Sequence, residues 1–360
     1  MDLVHLSRNV PELTEIERIA GDLPRGVRVR ILDSVIHQGV ELPIHCFEIG
    51  PDDPQLPVFL LTGGVHGLER IGTHVVTGYM KTLFSHMQWD ENHHDLFKRS
   101  RLIIVPLVNP AGMLLRTRSN GRGVDLMRNA PVEAVHSTWV PFVGGHNLGP
   151  FMAWFRGGGG VDGGKMEREA QALECLVREK VFPAKASISL DVHSGFGTVD
   201  RLWFPYAKSR DPFPSIAEMY KLNSLLDRTY PNHIYQVEPQ SLNYTTHGDL
   251  WDYFYDEHRA MKQRSGIYLP MALELGSWLW VKKNPRQILS LLGAFNPVIG
   301  HRYKRILRRH LALLDFMARA ASSHRGWSRV TPEERKEINE KALDRWYSGF
   351  IPEIPVVAAK

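Results

Sequence analysis

The sequence predicts an α/β fold built on a mixed, mostly parallel sheet with flanking helices. Three observations predict it. Val58–Thr62, Leu102–Val108, Ala186–Val192 and Met271–Leu275 are near-continuous apolar runs, the pattern of strands buried on both faces. Between these runs lie segments with apolar residues at three- and four-residue steps, the period of an amphipathic helix. The chain has 360 residues, 43% hydrophobic and 23% charged, enough to bury a sizeable core.

Taken in order, Val27–Leu32 alternates with period two and Leu42–Ile49 does so loosely, so both read as strands. After the Val58–Thr62 strand, Ile71, Val75, Tyr79, Met80, Leu83 and Phe84 fall on one face of a helix. The Leu102–Val108 strand stops at Asn109-Pro110. Further helices are predicted over Met166–Lys180, Ser215–Arg228 and Tyr303–Ala321. The glycine tract Gly157–Gly160, with Gly163 and Gly164, is a loop and not a linker, because strands continue on both sides. Gly159–Lys165 nearly matches a phosphate-binding loop, but Met166 stands where Ser or Thr must hold magnesium. A nucleotide site is therefore not expected. Beyond Trp327 the chain changes character. Thr331-Pro332-Glu333-Glu334 is a capping box, and Ile338, Ala342, Leu343 and Trp346 then form one apolar stripe. The expected organisation is a catalytic domain over 1–326 with a helical tail, 327–360, packed on it.

Net charge is only +5, from 44 basic and 39 acidic residues, and no long basic run occurs, so a nucleic-acid function is not suggested. The cluster from His301 to Arg309 alternates with apolar residues and reads as a solvated helix face. Two cysteines, Cys46 and Cys175, allow no disulfide framework. No signal-like segment opens the sequence, and no apolar stretch is long enough to span a membrane. A cytoplasmic protein is the expectation.

The chemistry begins at His66-Gly67-Leu68-Glu69, where a buried strand gives way to a glycine-rich turn. A His and a carboxylate converging there can share one metal ion. A catalytic zinc site needs three protein ligands and one open position. His193 suits the third place, because an apolar strand runs directly into Asp191-Val192-His193-Ser194-Gly195. His74, His86, His93 and His94 lie on a helix or in a polar loop, where solvent-exposed roles are expected. Metal-assisted hydrolysis also needs a base. Glu274 is a carboxylate inside the apolar strand Ala272-Leu273-Glu274-Leu275, and apolar flanks raise a carboxyl pKa toward the range useful for that work. Arg116, Arg118 and Arg128 are cations suited to an oxyanion or a substrate carboxylate.

This ordered set resembles the zinc carboxypeptidase family: HxxE at His66, then Asn109-Pro110-Ala111-Gly112, Gly123-Val124-Asp125-Leu126-Met127-Arg128-Asn129, the strand ending Asp191-Val192-His193, and Leu273-Glu274-Leu275. The similar region runs from Pro43 to Leu314. The resemblance implies an eight-stranded mixed sheet, one catalytic Zn2+ held by His66, Glu69 and His193, and Glu274 as general base and proton shuttle. It implies Arg118 at the oxyanion, with Arg116 as the second candidate, and Arg128 on a substrate carboxylate. Tyr244 resembles the mobile Tyr that closes over substrate. Gly248-Asp249-Leu250-Trp251-Asp252 resembles the specificity pocket, with Trp251 or Leu250 as an apolar floor, or Asp249 or Asp252 selecting a basic group.

One position departs from the pattern. The family usually carries Asn before the carboxylate-binding Arg, and here Met127 stands in that place. Met cannot donate a hydrogen bond, and losing one charge-assisted bond costs roughly 1.5–3 kcal/mol. The substrate expected is a peptide, with an N-acyl amino acid as an alternative. A deacylase, amidase or esterase on the same fold is one rival reading, and a non-catalytic zinc- or peptide-binding protein is another.

Overall fold

The four apolar runs become the middle of an eight-stranded sheet in the computed structural model, which describes residues 8–135, 142–159, 164–262 and 266–349. The strands are β1 (Val27–His37), β2 (Val40–Ile49), β3 (Val58–Gly63), β4 (Arg101–Val105), β5 (Ala186–Ser194), β6 (Arg201–Phe204), β7 (Gln236–Pro239) and β8 (Ile267–Leu275). Their order across the sheet is β1-β2-β4-β3-β5-β8-β6-β7. Four of the seven pairings are parallel, and three of these join β4, β3, β5 and β8 into one central block. The sheet is therefore mixed, with parallel strands at its centre. Every residue of β3, β4 and β5 is buried, which is why β3 and most of β4 read as apolar runs, while β5 buries Ser187, Ser189 and Asp191 among its apolar residues.

Helix Arg70–His86 lays Ile71, Val75, Tyr79, Met80 and Leu83 inward. It approaches β5 closely at Gly72, where a Cβ would stand 2.3 Å from the Val192 carbonyl oxygen. Helix Gly300–Ser322 packs on the same helix and keeps its basic residues outward, with Arg309 reaching Asp200 at 3.1 Å. The expected helix from Met166 is α-helical over Arg168–Leu176 and widens into a π-helical turn over Val177–Val181. The C-terminal helix Pro332–Tyr347 carries the expected capping box at Thr331 and Glu334. It lies against the sheet's edge, where Trp346 Nε1 donates to the Val237 carbonyl at 2.8 Å.

Some expectations are corrected. His93 is buried and bonded to Asp90 at 2.6 Å, and His74 is bonded to Glu12 at 2.9 Å, so neither is a free surface ring. Part of the glycine tract, 160–163, lies outside the described residues. Among the described residues, no helix is long and apolar enough to cross a membrane. Cys46 is buried and Cys175 exposed, and neither is in a disulfide.

Candidate metal centre and active site

Because β3, β5 and β8 are adjacent and parallel, their carboxyl ends open at one edge of the sheet, where sites in α/β folds gather. His66 follows β3 in a turn closed by Glu69 N–H donating to the His66 carbonyl at 3.0 Å. Gly67 makes this turn possible: a Cβ there would lie 2.0 Å from the Gly112 carbonyl carbon. Asn109 braces the same turn, capping helix Pro110–Leu115 through Gly112 N–H and donating to the Val65 carbonyl at 3.0 Å. Glu69 then sits at the N-cap of helix Arg70–His86. His193 lies near the end of β5 and pairs in register with Glu274 of β8, so the two side chains leave neighbouring strands side by side.

The donor atoms of His66, Glu69 and His193 all lie within 4.8 Å of one another. The set suits zinc, two imidazoles and one carboxylate. His66 Nδ1 is buried with no hydrogen-bond partner. Burial, helped by the Arg118 charge, pushes the His66 pKa down to about 4, which leaves a neutral ring with a lone pair to offer. His193 is held differently. Its Nδ1 lies 3.2 Å from Glu69, and its Nε2 2.7 Å from Asp191. Burial disfavours a charged ring there, but Asp191 and Glu69 outweigh it and hold the pKa well above the usual value. A nitrogen aimed at a carboxylate in this way takes either a proton or a metal cation.

Behind His193, Asp191 is fully buried. It accepts from Thr62 Oγ1 at 2.8 Å, His193 Nε2 at 2.7 Å and Trp251 Nε1 at 3.1 Å. Thr62 and Asp191 are register partners on β3 and β5. This fixes which imidazole nitrogen faces the metal position. Asp125 stands beside His66 without bonding it. It accepts from Arg118 Nε at 2.9 Å and from the Met127 N–H at 3.0 Å, and its other neighbour is His66 Nδ1 at 3.6 Å.

The matching family is zinc carboxypeptidase, over residues 13–276. The chain belongs to the zinc carboxypeptidase family. It is a zinc metallopeptidase, and the triad just described is where its residues fit the ion. No curated protein matches the sequence. Among solved structures, the chain is similar to thrombin activatable fibrinolysis inhibitor, with 18% identity, a TM-score of 0.61, and coverage of 87% of this chain and 72% of that one. The bovine thrombin-activatable fibrinolysis inhibitor in complex with tick carboxypeptidase inhibitor gives 17%, 0.59, 89% and 97%. Carboxypeptidase A from Helicoverpa armigera gives 17%, 0.59, 88% and 71%. At these identities the likeness bears on the fold.

Glu274 is buried, and its Oε1 accepts the Phe196 N–H at 2.8 Å. Burial, followed by the Glu69 charge, raises its pKa to about 8. Arg118 reaches the triad: Nη1 stands 3.4 Å from Glu69, and Nε bonds Asp125. Arg116 is exposed at the left-handed C-cap of helix Pro110–Leu115, with φ of 57°. Arg128 is buried, donating from Nε to the Val143 carbonyl at 3.1 Å and from Nη1 to the Met127 carbonyl at 3.0 Å. Tyr244 is half-buried, hydrogen-bonded to Arg128, and packed on Phe196 and Trp203. The Met127 side chain is buried in the hydrophobic core.

The segment expected to floor the specificity pocket opens a helix. Asp249 is the N-cap of helix Leu250–Ala260, accepting the N–H groups of Trp251 and Asp252 at 3.0 Å each. This capping turns Leu250 and Trp251 into the interior. Trp251 supports Asp191, and Asp252 accepts the N–H groups of Ala207 and Lys208. All four side chains are buried, and Asp249, Trp251 and Asp252 line a small cavity together with Trp203, Gln240 and Met271. Asp191 was readable as a site residue, since it lies two positions before His193 on one strand and so shares its face.

Proposed function

We propose that this metallopeptidase cleaves a peptide or peptide-like amide by the carboxypeptidase route, with Glu274 as general base. The observation that carries the proposal is the placement of Glu274: in register with His193 and fixed by the Phe196 N–H. Bound zinc would acidify water and polarise the scissile carbonyl. Glu274 accepts the proton of the attacking water and passes it to the leaving nitrogen. Arg118, held by Asp125, donates to the developing oxyanion. Arg128, preset by two backbone carbonyls, faces the substrate carboxylate, and Tyr244 covers it.

Glu274→Gln should keep its zinc and lose turnover by about 10²–10⁴-fold. Normal turnover in that variant would sink the mechanism. Arg118→Ala should cost about 10²–10³-fold in kcat, whereas Arg116→Ala should cost little.

Met127 supports a second reading, in which the substrate amide lacks a free terminal carboxylate. Peptides with free and with amidated C-termini separate the two. A preference for the free acid supports the first reading, and equal cleavage supports the second.

A further inference from the structure

Arg118 has a neighbour that the proposed chemistry has not used. The Trp154 ring lies over its guanidinium, 5.9 Å from centroid to Cζ. Trp154 sits in a left-handed conformation, φ 65°, which is rare for a bulky residue. Backbone bonds hold it there. His146 N–H donates to the Trp154 carbonyl at 3.1 Å, and Arg156 N–H donates to the His146 carbonyl at 2.9 Å. The next residue, Phe155, accepts the Asp125 N–H at 2.8 Å. The same loop is thus bonded to the backbone of the carboxylate that grips Arg118.

We propose that Trp154 is a positioning residue for Arg118 in amide hydrolysis, an inference that rests on the role of Arg118 at the oxyanion. Two edges of the guanidinium are already fixed, Nε by Asp125 at 2.9 Å and Nη1 by Glu69 at 3.4 Å. These contacts restrain the group within its plane. The indole face restrains it out of plane and keeps water from that side, so that the remaining N–H groups stay aimed at the reacting carbonyl. Trp is the aromatic best suited to this, because its face attracts cations most strongly. A group that must donate in the transition state gains most from being held before the reaction starts. The left-handed backbone is a local cost retained beside the reacting groups, as strained residues at active sites often are.

The test uses the full chain loaded with zinc and an N-blocked apolar dipeptide as substrate. Trp154→Leu should lower kcat roughly 5- to 30-fold with KM within about twofold, and Trp154→Phe should recover most of the loss. Zinc content and thermal midpoint are measured on each variant. In an Arg118→Ala background, Trp154→Leu should change kcat by less than about twofold, because the group it positions is gone. If Arg118→Ala lowers kcat while Trp154→Leu does not, or if the two losses multiply, the positioning role is overturned and the oxyanion role stands. If Arg118→Ala leaves kcat intact, the oxyanion role itself falls.

Discussion

Trp251→Phe separates two roles that one residue could have. In the structure its indole N–H donates to Asp191 at 3.1 Å, and Asp191 in turn holds His193 Nε2 at 2.7 Å. Phe keeps most of the ring's packing in this buried place and removes only the donor. Asp191 is then left with Thr62 and His193 as partners in a site without access to water. A hydrogen bond to a charged group contributes about 1.5–3 kcal/mol, and part of that loss falls on folding. The part transmitted through His193 appears in metal affinity, since losing an outer partner of a ligating His typically costs 10–100-fold. Zinc affinity, read by chelator competition, should therefore fall about tenfold, toward the low end because two partners remain. Substrate preference between apolar and basic side chains should not change. Unchanged zinc affinity together with a changed preference would refute the reasoning and return Trp251 to the specificity pocket.

Two further outcomes test other parts of the molecule. Trp346→Ala should cost about 3–5 kcal/mol in denaturant unfolding, because the ring is buried against Phe204 and Tyr220 and its N–H bonds Val237; a cost below about 1 kcal/mol would mean that the C-terminal helix is not docked there. His310 supplies a pH dependence away from the metal. Burial pushes its pKa down from 6.5 to about 4, with Asp200 acting the other way. Between those values the unfolded chain binds a proton that the folded protein refuses, so stability should fall as pH drops from about 6.5 to 4, by up to about 1.4 kcal/mol per unit. The variant His310→Gln should flatten that slope relative to the wild type in urea titrations at several pH values, and an identical slope would refute the assignment.

The central strands β3, β4 and β8 were legible because strands buried on both faces carry few polar residues, whereas β5 alternates Ser187, Ser189 and Asp191 with apolar residues. The short strands β6 and β7 were not legible. β6 and β7 are four residues each, too short to show a period, and β7 ends in Pro239. Helix Pro11–Ala20 was within reach, since Pro11 stands at its first turn and Leu13, Ile16 and Ile19 follow at steps of three. Its weakness as a signal is that the apolar stripe is narrow and the rest of the face is charged. Helix Leu250–Ala260 was legible too: Asp249 is a cap, and Leu250, Trp251, Phe254 and Tyr255 fall on one face. Read by period, that segment points its apolar side chains into the core. Read by family likeness, it becomes a pocket floor, and Asp249, Trp251 and Asp252 do line a small cavity.

The metal triad was legible for a different reason. Ligand residues at the ends of parallel strands need only the strands to be adjacent, and the register then places the side chains. What no sequence pattern shows is which backbone atoms a cation meets. Met127 illustrates this. As a side chain it offers no donor to a carboxylate, and it is buried in the core. As a backbone carbonyl it accepts from Arg128 Nη1, and Val143 accepts from Nε. Those two bonds fix the guanidinium from behind and leave its other donors for a ligand. Any carboxylate bound there would depend on Arg128 and Tyr244 without help from residue 127. The missing donor should therefore weaken discrimination between acid and amide termini by about the strength of one charge-assisted bond, roughly 1.5–3 kcal/mol, while the anchored guanidinium still favours the acid.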